Sequence, residues 1–216
     1  MLGVVCLTAA LVGVSATDEV RWRSKEVSGV KTEGATLHSL VATLAFQTRT
    51  PIHLIYEADA LDDAVLRGAV ADSKTNLGRI FDRIAEQVPG IKAVPTERGV
   101  IWICPIRKLV RRPLEAEFEL GAFAGALDDL MSECFLPHVR GMSNGWSHPA
   151  QNPERKKVDV KNAARRTALD IAVSGFEQNN ACLQIRLTLD PPQPDDDPNA
   201  APLPRMDYSL IPLRNE

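Results

Sequence analysis

The sequence predicts an α+β fold, two small β-α-β modules in tandem with helices packed on short sheets. Three observations carry this. Apolar residues at helical spacing alternate with short runs of strand character, the order of those segments recurs in the second half, and a basic segment with proline at both ends separates the halves. The resulting division is an export signal over 1–16, a first α+β domain over 17–104, a linker over 105–113, a second, weaker repeat over 114–189, and a Pro/Asp-rich disordered tail over 190–216. A chain of 216 residues has room for one medium domain or two small ones. With 44% hydrophobic and 25% charged residues it is neither collagen-like nor a multispan membrane protein.

The first segment is apolar from Leu2 to Val14 and ends in Val14-Ser15-Ala16, small residues of the kind a signal peptidase accepts. At about 13 residues it falls short of the roughly 20 needed to span a bilayer. The expectation is therefore cleavage after Ala16, a periplasmic or secreted protein, and no stable membrane insertion afterwards. No Lys or Arg precedes the apolar run, so the usual basic flank is missing.

Four helices follow from spacing. Leu37, Leu40, Val41 and Leu44 mark the first, with Thr36 placed to cap it; Leu77, Ile80, Phe81, Ile84 and Val88 mark the second, closed by Pro89-Gly90. Phe123, Leu127, Leu130, Met131 and Cys134 mark a third, stopped before Pro137, and a fourth runs from Ala163 to Val173 with Asn162 as its cap. Strand character belongs to Ile52–Tyr56, Val65–Val70, Ile91–Val94, Val100–Cys104, Lys157–Val160 and Cys182–Leu189. The last alternates cleanly, which predicts one buried and one wet face. Thr96-Glu97-Arg98-Gly99 reads as a hairpin connection. Shifting the sequence by 89 residues sets Ala69 on Val158, Ile80 on Leu169 and Ile84 on Val173, while Leu77 falls on Arg166 and breaks the match.

Two stretches, EGATLHSLVATLAFQTRTPIHLIYE and LRGAVADSKTNLGRIFDRIAEQ, together with the closing GVIWIC, resemble the secretin and TonB short N-terminal domain over residues 33 to 104. The likeness rests on hydrophobic pattern and element order, and extends to the second half only weakly. It implies a compact β-α module of the bacterial periplasm that docks another envelope protein and does no chemistry. In that family the module usually precedes a channel or a plugged barrel, and no barrel-length run of alternating strands follows it here.

Charge argues against nucleic acid as a partner. The segment from Asp190 onward carries six acidic residues against two arginines, a net of −4, which leaves the rest of the chain at +1 within the total of −3. A near-neutral body offers no field to hold nucleic acid. The expected contact surface is the 136–156 loop with Arg140 and Trp146, beside the linker cations Arg111 and Arg112, since Trp and Arg are enriched at binding hot spots. Arg107, Lys108, Arg155, Lys156 and Lys157 extend that basic patch if the two segments lie together, and otherwise are simply solvated.

No P-loop, GxGxxG or HExxH motif is present, and no cofactor is expected. Cys134 and His138 are four apart, but Pro137 intervenes and Cys134 continues an apolar stripe, which favours a core cysteine over a nucleophile. The alternative reading is a small exported enzyme or ligand-binding protein that uses the 136–156 loop. Cys104, Cys134 and Cys182 have no CxxC or Cys/His metal spacing, so no metal is expected. They are either three structural thiols or one disulfide and a thiol, and a disulfide would join Cys134 to Cys182 within the second unit.

Overall fold

In the computed structural model, the structure describes residues 21–30, 34–57, 74–106, 117–120, 123–135, 143–147, 157–160, 163–190 and 203–213. The first half contains β1 (Glu26–Val27), α1 (Leu37–Thr48), β2 (Ile52–Glu57), β3 (Thr75–Asn76), α2 (Leu77–Gln87), β4 (Lys92–Pro95) and β5 (Val100–Ile103). The second contains β6 (Glu117–Leu120), β7 (Phe123–Ala126), α3 (Leu127–Asp129) running into a π-helical turn (Leu130–Phe135), β8 (Ser143–Ser147), β9 (Lys157–Val160), β10 (Ala163–Thr167), α4 (Ala168–Gln178), β11 (Ala181–Asp190) and β12 (Leu203–Pro212).

Helices α1 and α2 lie where their spacing predicts. Thr36 accepts from the Ser39 amide to cap α1, and Asn76 accepts from the Arg79 amide to cap α2. Two boundaries in the second half differ from expectation. Phe123 belongs to strand β7, so α3 begins only at Leu127, and residues 163–167 form β10 in place of a first helical turn. Thr167 caps α4, not Asn162: its hydroxyl accepts from the Asp170 amide while the Asp170 carboxylate accepts from the Thr167 amide. This reciprocal pair fixes the start of the helix.

The α+β expectation holds at the level of helices packed on a mixed sheet, but the modules do not carry separate sheets. The strands run in the order β4-β5-β2-β11-β12, and β8 extends the far edge beyond β12. The junction is a parallel pairing of β2 with β11, setting Leu54 beside Gln184 and Ile55 beside Ile185. On either side of it the wiring is the same. An antiparallel hairpin (β4-β5, then β11-β12) places its second strand parallel to the strand that follows the first helix of its half (β2, then β8). A short antiparallel ladder precedes each later helix, β1 with β3 and β6 with β10. Helices α2 and α4 are both 11 residues long and begin 91 residues apart, so the structural offset is 91 and not 89. Ile80 then corresponds to Ile171, and both are fully buried.

Alternation along the strands gives the sheet two apolar faces. Ile52, Leu54, Val100, Trp102 and Cys182 join α1 and α2 in one cluster. Ile55, Ile101, Leu183, Ile185 and Leu187 join α4 and the segment of Leu127, Leu130 and Met131 in the other. The first pair of helices therefore lies on one face and the second pair on the opposite face. This corrects the wet face expected for β11, because Cys182 and Gln184 are buried under the first half and only Arg186 and Thr188 are half-buried.

The tail also departs from the disorder expected over 190–216. Leu203–Pro212 pairs with all ten residues of β11, from Ala181 opposite Pro212 to Asp190 opposite Leu203. After the prolines, Met206, Tyr208 and Leu210 alternate toward the second cluster, which supplies the burial that the polar composition concealed. Residues 191–202, the linker beyond Ile106 and the expected strand Val65–Val70 lie outside the described residues.

Candidate functional site

Two features bring polar side chains together at the end of the sheet where β2 and β5 begin. One is sealed inside and the other opens outward, and they share the turn at residues 96–99.

The buried feature is a seam between the halves. The β2–β11 ladder starts at Leu54 and Gln184, so donors just ahead of it lack backbone partners and side chains of the opposite strand take their place. The Leu183 amide donates to His53 Nδ1 at 3.0 Å, and the Ile52 amide donates to Cys182 Sγ at 3.3 Å. With Nδ1 accepting, Nε2 carries the imidazole proton and donates to Glu177 Oε1 at 3.3 Å. The Thr96 hydroxyl donates to that same oxygen, and Arg98 reaches across the turn to donate to the Glu177 carbonyl and, at 2.8 Å, to Asn180 Oδ1. His53 is 0%, Glu177 3% and Thr96 8% exposed. At such burial the carboxylate depends on these donors in place of water.

The outward feature is a cleft of about 220 Å3 above the seam. Arg21, Trp22 and Lys25 form one wall, residues 49–51 another, and the 96–99 turn the third. Arg49 sits at the C-cap of α1 in the left-handed region, φ 50°, which turns the chain sharply into β2. The turn is closed by the Thr96 amide on the Gly99 carbonyl and the Gly99 amide on the Thr96 hydroxyl. Gly99 is required there because a Cβ would lie 1.9 Å from the Pro51 carbonyl oxygen. Trp22 is anchored by edge-on contacts with Phe81 and Trp102. Four cations, Arg21, Lys25, Arg49 and Arg98, thus face a space with one carboxylate, that of Glu97.

The two described thiols are poorly suited to nucleophilic chemistry. Burial pushes Cys104 up to about 12. Burial also pushes Cys182 up to about 12, the Glu177 charge adds to the rise, and the hydrogen bond from Ile52 opposes it. Cys182 is a free thiol, so the disulfide expected with Cys134 is not formed. The reason is topological: Cys182 belongs to the cluster under α1 and α2, whereas the π-helical turn that contains Cys134 packs through Leu130 and Met131 on the opposite face.

Of the other residues expected to form the site, Trp146 lies in β8 opposite Tyr208, at the edge of the sheet. Lys157 opens β9. Arg111, Arg112, Arg140, His138 and the remaining cations of the expected patch fall outside the described residues. The sequence reading missed the seam and the cleft. His53 and Glu57 interrupt an otherwise apolar run, Ile-His-Leu-Ile-Tyr-Glu, and both are buried. A polar residue at such a position was the available signal for an internal network. The cleft cations are isolated in sequence and gave none.

Among the described residues no group of three or more His, Cys, Asp or Glu could hold a metal ion, and no helix is long and apolar enough to cross a membrane. Compared with family models, with curated proteins and with solved structures, the chain matches none of them.

Proposed function

We propose that the chain is a noncatalytic docking module of the bacterial cell envelope that acts by binding another protein. The observation that carries this reading is where the reactive side chains lie. His53, Glu177 and Thr96 have the residue types of an acid-base site, yet each is at most 8% exposed and each makes a side-chain hydrogen bond that joins the halves. A general base must reach the proton it abstracts, and these groups face protein on all sides. What faces outward is a rigid, charged cleft, which is the property of a recognition surface. Resemblance of residues 33–104 to the secretin and TonB short N-terminal domain supports the same class, and the apolar segment ending at Ala16 supports a periplasmic or secreted location.

Capture of partners from an envelope fraction by the tagged mature protein tests the reading. A specific partner should be retained by the wild type and by a Cys134→Ala/His138→Ala variant. Loss of capture on Trp146→Ala combined with Arg111→Glu and Arg112→Glu would place the contact on the expected loop and linker. A hydrolytic or transferase activity abolished by changing Cys134 and His138 would overturn it. N-terminal sequencing of the envelope form should begin at Thr17, and a mature protein that begins at Met1 would remove the location.

A further inference from the structure

We propose that the cleft between Arg21, Arg49 and Arg98 is the recognition site for an acidic peptide segment of the partner protein, with Arg21, Lys25 and Arg49 pairing its carboxylates. This rests on the docking reading above and adds the chemistry of the ligand.

The first argument is how the described cations are used. Arg23 pairs with Asp82, Lys74 with Glu26 at 2.8 Å, and Arg98 is committed to the Glu177 carbonyl and Asn180. Arg21, Lys25 and Arg49 have no ion pair among the described residues, and all three line the same cleft. Like charges brought together repel, so an anion entering the cleft gains from every one of them. Arginine adds a planar fork that matches a carboxylate with two parallel hydrogen bonds.

The second argument is rigidity. One wall is held by Arg98 on the carbonyl end of α4, another by the close approach of Gly99 to Pro51, and the third by Trp22 packed on Phe81 and Trp102. A ligand therefore meets a preformed site and spends little on ordering it.

Size and curvature select the ligand class. About 220 Å3 lies below the roughly 300–1,000 Å3 typical of small-molecule and cofactor sites, yet it admits side chains that project from an extended segment. An anionic membrane surface is better met by cations spread over an open face, whereas these converge on a recess. The rest of the chain, at +1 without its acidic end, supplies no broad field for a polyanion such as nucleic acid.

Fluorescence anisotropy with a fluorescein-labelled hexaglutamate peptide and the full chain tests the proposal. Saturable binding is expected, weakening as salt is raised, with a hexaglutamine peptide inert. Lys25→Gln with Arg49→Gln should weaken binding at least about tenfold, while Arg79→Gln, which removes an exposed cation of α2 outside the cleft, should change it less than about twofold. Arg21→Gln with Lys25→Gln should give the same loss and avoids the left-handed position of Arg49. Absence of binding, equal losses in the Arg79 and cleft variants, displacement by equimolar inorganic phosphate, or binding to phosphatidylglycerol vesicles without peptide binding would each overturn it. If the peptide fails while envelope capture persists, the docking reading stands and its contact lies elsewhere.

Discussion

Helix α2 meets the sheet through Leu77, Ile80, Phe81 and Ile84, with Phe81 against Trp22 and Trp102. Helix α4, placed identically in the second half, has Gly175 at the position of Ile84, and Leu130 of the π-helical turn fills the space, its Cδ2 lying 2.4 Å from where a glycine Cβ would be. The wiring is thus kept while the packing is solved differently, by an aromatic cluster in one half and by helix-to-turn contact in the other. Wiring depends on hydrogen-bonded order and alternation, which many sequences satisfy, whereas packing depends on volume at each position. The junction is different again: it is polar, and its parts come from both halves.

That contrast can be broken at three levels. The largest expected effect is in the cores. Trp102→Ala in the first half should cost about 3–5 kcal/mol and Ile171→Ala in the second about 2–5 kcal/mol, both read from denaturant midpoints. Because the halves share a sheet, each change should lower one common transition.

At the junction, Glu177→Ala strands the Thr96 hydroxyl and His53 Nε2, and a buried donor left without an acceptor costs about 1–3 kcal/mol. Glu177→Gln keeps a carbonyl oxygen for one of them and should cost less. Removing Glu26, paired with Lys74 where both side chains are 70% exposed, should be nearly silent in the same assay.

The last comparison is between two glycines. Gly99→Ala meets the backbone of Pro51 and cannot be relieved by a rotamer change, so a loss of about 1–3 kcal/mol is expected. Gly175→Ala meets side-chain ends and no backbone, Leu130 Cδ2 at 2.4 Å and Leu127 Cδ1 at 3.1 Å, which can shift, and should cost less. Equal losses at the two sites would show that the turn is not the rigid wall described for the cleft.

Legibility in the sequence followed the range of the forces involved. Helices α1 and α2 announce themselves through apolar spacing and caps that act within four residues, as do β2, β5 and the 96–99 turn. The start of α4 was misplaced because Ala163-Ala164-Arg165-Arg166 favours helix by its own propensity, and the β6–β10 pairing overrides it. Strand β12 was hidden behind the proline- and aspartate-rich stretch, although Met206, Tyr208 and Leu210 carry the alternation. The joining of the halves was not legible, since nothing local to β2 or β11 says that they are neighbours. The cleft assembles residues from three separate stretches, so only the folded chain displays it.

The central claim is that the halves form one body locked at the buried seam, which in turn holds the cleft turn in place. Native-state hydrogen exchange across a urea series tests it most directly, following the amides of Ile101 and Trp102 in β5 with those of Tyr208 and Leu210 in β12. One opening free energy and one urea dependence for both sets are predicted, with Glu177→Ala lowering both equally. Two distinct opening energies, with Glu177→Ala lowering only that of β12, would contradict the account.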